Sequence, residues 1–215
     1  MDPQPIVYIV DDDPDSRLAL VAIAKSLRVD VVAFPNAEEF LAAYNENATC
    51  CLVTDLRMRG MSGLDLLRHL KAAGLTIPTV IVTGYAETAI AVDAMRAGAV
   101  TFLEKTVPQH KICEAISQAL AQSSELLAKK AELDRVKQIW GSFNLEERQV
   151  LTMVAQGKLN KEIAFETGAP LRTIEDRRRR LMTKLGASSV VDLVRFAILL
   201  EELERSGTSP KKPDA

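Results

Sequence analysis

Three cysteines in 215 residues cannot frame a disulfide scaffold. Cys50 and Cys51 are adjacent inside an apolar run and Cys113 stands alone, so metal-ligand spacing is missing as well. They read as reduced core residues, as in a cytosolic protein. Aromatic residues are sparse at 5%, but an apolar share of 47% suffices for ordinary cores. No stretch approaches 18 apolar residues without a charge, so no transmembrane helix is expected. The start lacks a basic region followed by a long apolar segment, so neither is a secretory signal. Charge is also short of either sign: 27 basic against 29 acidic residues gives −2, and that balance alone suggests no nucleic-acid partner. The expectation is a soluble, cytoplasmic protein, long enough for one large domain or two modest ones.

What is present falls into two patterns. Over residues 1–122, short apolar runs at 6–10, 29–34, 51–55, 79–84 and 100–105 alternate with amphipathic segments. The latter predict helices over 15–27, 37–46, 63–73, 86–97 and 108–122. This alternation predicts an α/β fold, a doubly wound five-stranded parallel sheet covered on both faces. Ligands of such sheets bind outside the carboxyl ends of the strands. That rim collects Asp11, Asp12 and Asp13 after the first run, Asp55 after the third, Thr83 after the fourth and Lys105 after the fifth.

Four aspartates fill five positions at 11–15, and their repulsion makes each harder to ionise. A cation, a basic side chain or solvent must hold them. Asp13 before Pro14, and likewise Asp15, reads as no more than a solvated loop residue or a helix cap. Asp11 and Asp12 are different, because Asp55 ends another strand of the same sheet. Three converging carboxylates suit a hard divalent cation such as magnesium or manganese, which keeps waters and so leaves room for a phosphoryl oxygen. Lys105 adds a point charge and Thr83 a hydroxyl. The set describes a site that builds and holds an acyl phosphate, with Asp55 as nucleophile.

Residues 123–142 hold no proline, are rich in Ala, Leu, Glu and Lys, and continue the fifth helix as a helical linker. Leu126, Leu133, Val136 and Trp140 fit either a short coiled-coil seam or a stripe packed on the chain's own domain. Residues 143–205 are all-helical, opening on Asn144 with Glu147 in the capping-box place. Helices follow from Asn160 to Gly168, after Pro170 to Leu185, and over about 189–205. The tail 206–215 is too polar and proline-rich to fold alone. Residues 141–200 carry ten basic against seven acidic residues, whereas 1–122 carry ten against fifteen. A basic half beside an acidic one is the footprint of a DNA reader.

The motifs "IVDDD", "LVTDLRMRGMSGLDLL", "IVTG" and "AGAVTFLEK" resemble the receiver domain of two-component response regulators, especially the FixJ type. The resemblance implies that Asp55 is the phosphoacceptor and that Asp12 and Asp55 bind the cation directly. It implies that Asp11 acts through water and that the backbone carbonyl of Arg57 completes the protein ligands. Lys105 would contact the phosphoryl group, Thr83 would be the switch hydroxyl, and Phe102 the aromatic that turns inward with it. Thr106 stands where the family has proline, so a trans bond and a rearranged loop are expected there. Arg59 replaces another common proline.

The segment "LEERQVLTMVAQGKLNKEIAFETGAPLRTIEDRRRRLMTKLG" resembles the LuxR-type helix-turn-helix, whose recognition helix would be 171–185. Ile174, Leu181 and Leu185 define its buried stripe, and Arg178 falls within about 40° of Ile174 on the helical wheel. Arg178 is therefore expected to snorkel or pair at the domain edge, with Arg177 at the boundary. Arg172, Thr173, Arg179 and Arg180 are the candidates for base or phosphate contact, with Asp176 able to accept from a cytosine amino group. Asn160, Lys161 and Lys184 are placed on the DNA backbone. The resemblance implies a transcription regulator rather than an enzyme. It would be phosphorylated by a histidine kinase and bind double-stranded promoter DNA, as a homodimer at least when phosphorylated, with no membrane partner. The alternatives are a receiver acting through protein–protein contact and a DNA-binding regulator independent of phosphorylation.

Overall fold

The computed structural model describes residues 4–44, 48–84 and 87–205, so the tail at 206–215 lies outside the described residues. Chain contacts divide it into two units, Met1–Ala128 and Lys129–Ala215.

The first unit is a five-stranded parallel sheet in the order β2-β1-β3-β4-β5. Its strands are β1 (Ile6–Val10), β2 (Asp30–Phe34), β3 (Cys50–Thr54), β4 (Thr79–Thr83) and β5 (Thr101–Glu104). Between them run α1 (Pro14–Lys25), α2 (Ala37–Ala43), α3 (Gly63–Ala72) and α4 (Thr88–Ala97). β1 and the start of α3 fall where expected, and several other boundaries differ by a few residues. The first helix starts at Pro14, because Asp13 caps it by accepting from the N–H groups of Asp15 and Ser16. The second ends at Ala43, and residues 45–47, which the expected helix included in part, lie outside the described residues. The fourth was expected from 86 and begins at Thr88, with 85–86 undescribed.

Side chains alternate across β1. Val7 and Ile9 join Leu20 of α1 and Ile112 and Ile116 of the last helix, α5 (Gln109–Gly141), in one core. Tyr8 and Val10 join Phe40 of α2 and Leu66 and Leu70 of α3 in the other. The central β3 and β4 are buried along their whole length, as parallel strands covered on both faces must be. Cys50 and Cys51 are free and buried, and burial pushes the Cys51 thiol well above its usual range.

As expected, the fifth helix continues beyond 122, and it runs unbroken for 33 residues. Its far end belongs to the second unit, where Leu133, Val136, Ile139 and Trp140 pack against Phe143, Leu151 and Phe196. Of the two uses open to the linker stripe, packing on its own domain is the one adopted at Leu133, Val136 and Trp140. Four more helices complete this unit: α6 (Leu145–Ala155), α7 (Asn160–Thr167), α8 (Leu171–Leu185) and α9 (Val190–Arg205). The capping box forms as expected, Glu147 N–H donating to Asn144 Oδ1 and Asn144 N–H to Glu147 Oε2. Gly168 ends α7 at φ 68°, a left-handed turn that glycine adopts without strain, so the chain can reverse into α8.

Candidate functional sites

At the carboxyl ends of β1, β3 and β5 the sheet brings Asp11, Asp12, Asp55 and Lys105 together. One carboxylate oxygen from each of the three aspartates lies within 4.8 Å of the others. Asp11 is fully buried and Asp55 is 8% exposed. Their charges are held by donors: Lys105 Nζ reaches Asp11 Oδ2 at 2.7 Å and Asp55 Oδ2 at 3.3 Å. Asp55 Oδ1 accepts from Leu56 N–H at 2.7 Å. Burial works against the Lys105 ammonium, but the hydrogen bond and charge of Asp11, with those of Asp55, outweigh it and hold Lys105 above the usual lysine range. Asp12, half-buried, accepts from the Arg59 N–H at 3.2 Å.

Thr83 is buried at the end of β4, and its carbonyl accepts from Lys105 N–H at 2.8 Å, tying the lysine to the neighbouring strand. None of the described peptide bonds is cis, so the Lys105–Thr106 bond is trans as expected. The loop after Lys105 is closed by Val107 N–H on Glu104 O and by Thr106 Oγ1 on Glu104 Oε2. Phe102 pairs with Ile81 in the β4–β5 register and is partly buried against Leu56, Leu67 and Ala94. Arg57, whose carbonyl was expected to face a cation, sends its side chain to Glu87 at 2.9 Å.

Sequence reasoning missed four residues around this site. Ser16 Oγ donates to Asp11 Oδ2 at 2.5 Å and Arg17 Nη1 to the Asp11 carbonyl at 2.6 Å. Glu87 anchors Arg57. At Gly63 an added Cβ would stand 2.1 Å from the Asp55 carbonyl oxygen, so only glycine fits beneath the acceptor loop. A glycine at the first position of a helix, just after the Ser62 cap, was the one sequence signal available among them.

The second candidate surface is α8. Arg178 does pair at the edge, donating to Asn160 Oδ1 at 2.7 Å, so that oxygen of Asn160 is already engaged. Arg177 is bound to Glu146 of α6. Lys184, expected on the DNA backbone, binds the buried Glu147 through its ammonium at 2.7 Å and the Ser142 carbonyl at 3.2 Å. Glu147 is 2% exposed. Burial pushes its pKa up, but the Lys184 bond, the Asn144 N–H and the charges of Lys184 and Arg180 prevail and hold it below the usual glutamate range. Arg172, Arg179 and Arg180 are exposed, Arg179 being bound to Asp176 at 3.1 Å. Thr173 and Asp176 are half-buried, and Lys161 on α7 is exposed. Among the described residues no helix is long and apolar enough to cross a membrane.

Comparison with known proteins matches both halves. Residues 7–117 match the response regulator receiver domain family, and residues 145–197 match the bacterial regulatory proteins of the luxR family. The response regulator protein TodT of Pseudomonas putida is 35% identical over 197 residues, 92% of this chain and 87% of TodT. The transcriptional regulatory protein FixJ of Rhizobium meliloti is 39% identical over 195 residues, 89% of this chain and 94% of FixJ. The solved structure of the response regulator StyR, 34% identical, superposes with a TM-score of 0.82 over 91% of this chain and 98% of StyR. With a flavodoxin-like receiver fold, a helix-turn-helix unit behind it and transcriptional regulators as relatives, this chain belongs to the response regulators that join a receiver domain to a LuxR-type DNA-binding domain.

Proposed function

We propose that Asp55 is the phosphoacceptor of this regulator and that its modification controls promoter binding by the helical unit. One observation carries the reading: Lys105 bridges Asp11 and Asp55, and Asp12 brings a third carboxylate into the same cluster. An all-oxygen donor set of this charge fits magnesium or manganese, which Asp11, Asp12, Asp55 and the Arg57 carbonyl would hold. Such an ion, when bound, offsets the negative charge brought by the phosphoryl group.

The chain's own residues do the rest. An Asp55 oxygen attacks phosphorus of a kinase phosphohistidine, the phosphorus–nitrogen bond breaks, and the released imidazole takes up a proton. Lys105 supplies positive charge to the transferred group, and Thr83 a hydroxyl at the same rim. Phe102, one strand from Thr83 and only partly buried, is the residue whose packing responds when the Thr83 hydroxyl turns toward the phosphoryl group. The output is binding of double-stranded DNA by α8 through Arg172, Thr173, Arg179 and Arg180, with Asp176 facing a base and Lys161 and Asn160 the phosphates. A homodimer, at least in the phosphorylated form, fits the two-fold symmetry of most operators.

The deciding experiment is magnesium-dependent phosphorylation with a small acyl-phosphate donor, comparing the wild type with Asp55→Ala. Intact mass and sedimentation are the readouts. One added phosphoryl group, absent in the variant and accompanied by dimer formation, supports both the site and the switch. No added mass, with unchanged DNA affinity, replaces this reading with a regulator independent of phosphorylation.

A further inference from the structure

Among the rim carboxylates, Asp11 is the most enclosed, with no exposed surface. Both of its oxygens are engaged. Oδ1 accepts from Asp13 N–H at 3.0 Å, and Oδ2 accepts from two donors, Lys105 Nζ at 2.7 Å and Ser16 Oγ at 2.5 Å. The lysine is shared, since it also reaches Asp55 Oδ2 at 3.3 Å and so sits nearer to Asp11 than to the acceptor. Ser16 comes from a different element, the first turn of α1, and its backbone N–H is fixed by the Asp13 cap.

A phosphoryl group on Asp55 brings roughly 1.5 to 2 negative charges and draws the ammonium toward itself. Asp11 Oδ2 then loses its charged donor while remaining buried, leaving the Ser16 hydroxyl as its remaining protein donor, and each donor lost from a buried carboxylate oxygen costs free energy. The Ser16 hydroxyl stays behind. Being neutral, it satisfies Asp11 without competing with Lys105 for the new charge.

We propose that Ser16 is a positioning residue for phosphoryl transfer: its hydroxyl holds Asp11 while Lys105 moves to the phosphoryl group on Asp55. This rests on Asp55 being the acceptor. A serine that merely braced the first turn of α1 would act on stability, and would act equally whether or not Lys105 is present.

The test uses the full chain with Ser16→Ala, Ser16→Thr, Lys105→Ala and the double variant Ser16→Ala/Lys105→Ala. Phosphorylation by acetyl phosphate is followed by intact mass, magnesium affinity by calorimetry, and folding by the thermal midpoint. Ser16→Ala is expected to slow phosphorylation roughly five- to tenfold, the scale of one hydrogen bond, with magnesium affinity unchanged and the midpoint lowered only slightly. Ser16→Thr is expected to restore the rate. In the Lys105→Ala background the serine change is expected to add nothing to the rate, because no lysine then leaves Asp11 during transfer. A wild-type rate in Ser16→Ala overturns the proposal. So does an equal loss without Lys105, or a fall in magnesium affinity that matches the fall in rate. A wild type that takes up no phosphoryl group overturns the acceptor reading itself. A phosphorylated wild type with a silent Ser16→Ala overturns only the role of Ser16.

Discussion

Around Asp55 the charges that matter are buried, crowded and shared, with one lysine serving two carboxylates. On α8 the charges are spread over a helix, and neighbouring elements claim some and leave others to solvent. Arg177 is 15% exposed and held by Glu146, whereas Arg179 is 77% exposed. In the receiver unit, therefore, function depends on where the sheet ends, and every group in the cluster is coupled to the next. In the helical unit it depends on what α6 and α7 leave free, and single arginines act more nearly independently. Changes in the first region should be large and coupled, and changes in the second graded.

The sharpest break is Gly63→Ala. Its Cβ would meet backbone at 2.1 Å, which no rotamer can relieve, so the receiver unit should lose about 3 kcal/mol or more. Urea unfolding measures this, and an unchanged midpoint would mean that the acceptor loop moves freely away from α3.

Next comes Lys184→Ala, which leaves Glu147 buried without its cation. The cost should be about 2–3 kcal/mol, below that of a fully buried pair because the lysine side chain is part-exposed. The same variant changes the pH dependence of stability. Because Glu147 is held below its unfolded pKa, its contribution is present above the ordinary glutamate range and is lost as pH falls through the folded value. Thermal scans of the wild type should show that acid loss, and Lys184→Ala should flatten it.

Arg180→Ala against Arg177→Ala tests the division of α8. Arg180→Ala should weaken binding to duplex DNA roughly tenfold and reduce the salt slope by about 1, with only a small loss of stability through the weaker field at Glu147. Arg177→Ala should do the opposite, costing about 1 kcal/mol of stability while leaving DNA affinity nearly intact. Affinity titrations at several salt concentrations separate the two, and equal effects would erase the distinction drawn from the ion pairs. The smallest effect is expected from Arg57→Ala, whose exposed pair with Glu87 is worth under about 1 kcal/mol.

How much of this was legible differs between the regions for the same reason that their chemistry differs. The rim could be read because strand ends in a parallel sheet converge, so Asp11, Asp55 and Lys105 needed only their order along the chain. Ser16 could not, because its contact with Asp11 depends on how α1 turns back over the end of β1. On α8 the helical wheel placed Arg178 at the domain edge, where it pairs with Asn160. The bond of Lys184 to Glu147 was out of reach, since Glu147 sits on α6 and is invisible to a wheel drawn for one helix. The stripe through Leu133, Val136 and Trp140 was ambiguous because a coiled coil and a packed helix ask for the same spacing.

By itself the sequence determined what local rules and strand order can reach: a parallel sheet followed by a helical half, a helix cap at Asn144, and an acidic rim facing a lysine. Only the tertiary structure decided which charges pair across elements, that Gly63 lies against the Asp55 carbonyl, and that Leu133, Val136 and Trp140 pack into the core of the helical unit. Periodicity and capping act within a few residues, whereas the partner of a buried charge is chosen by packing between segments distant in the chain.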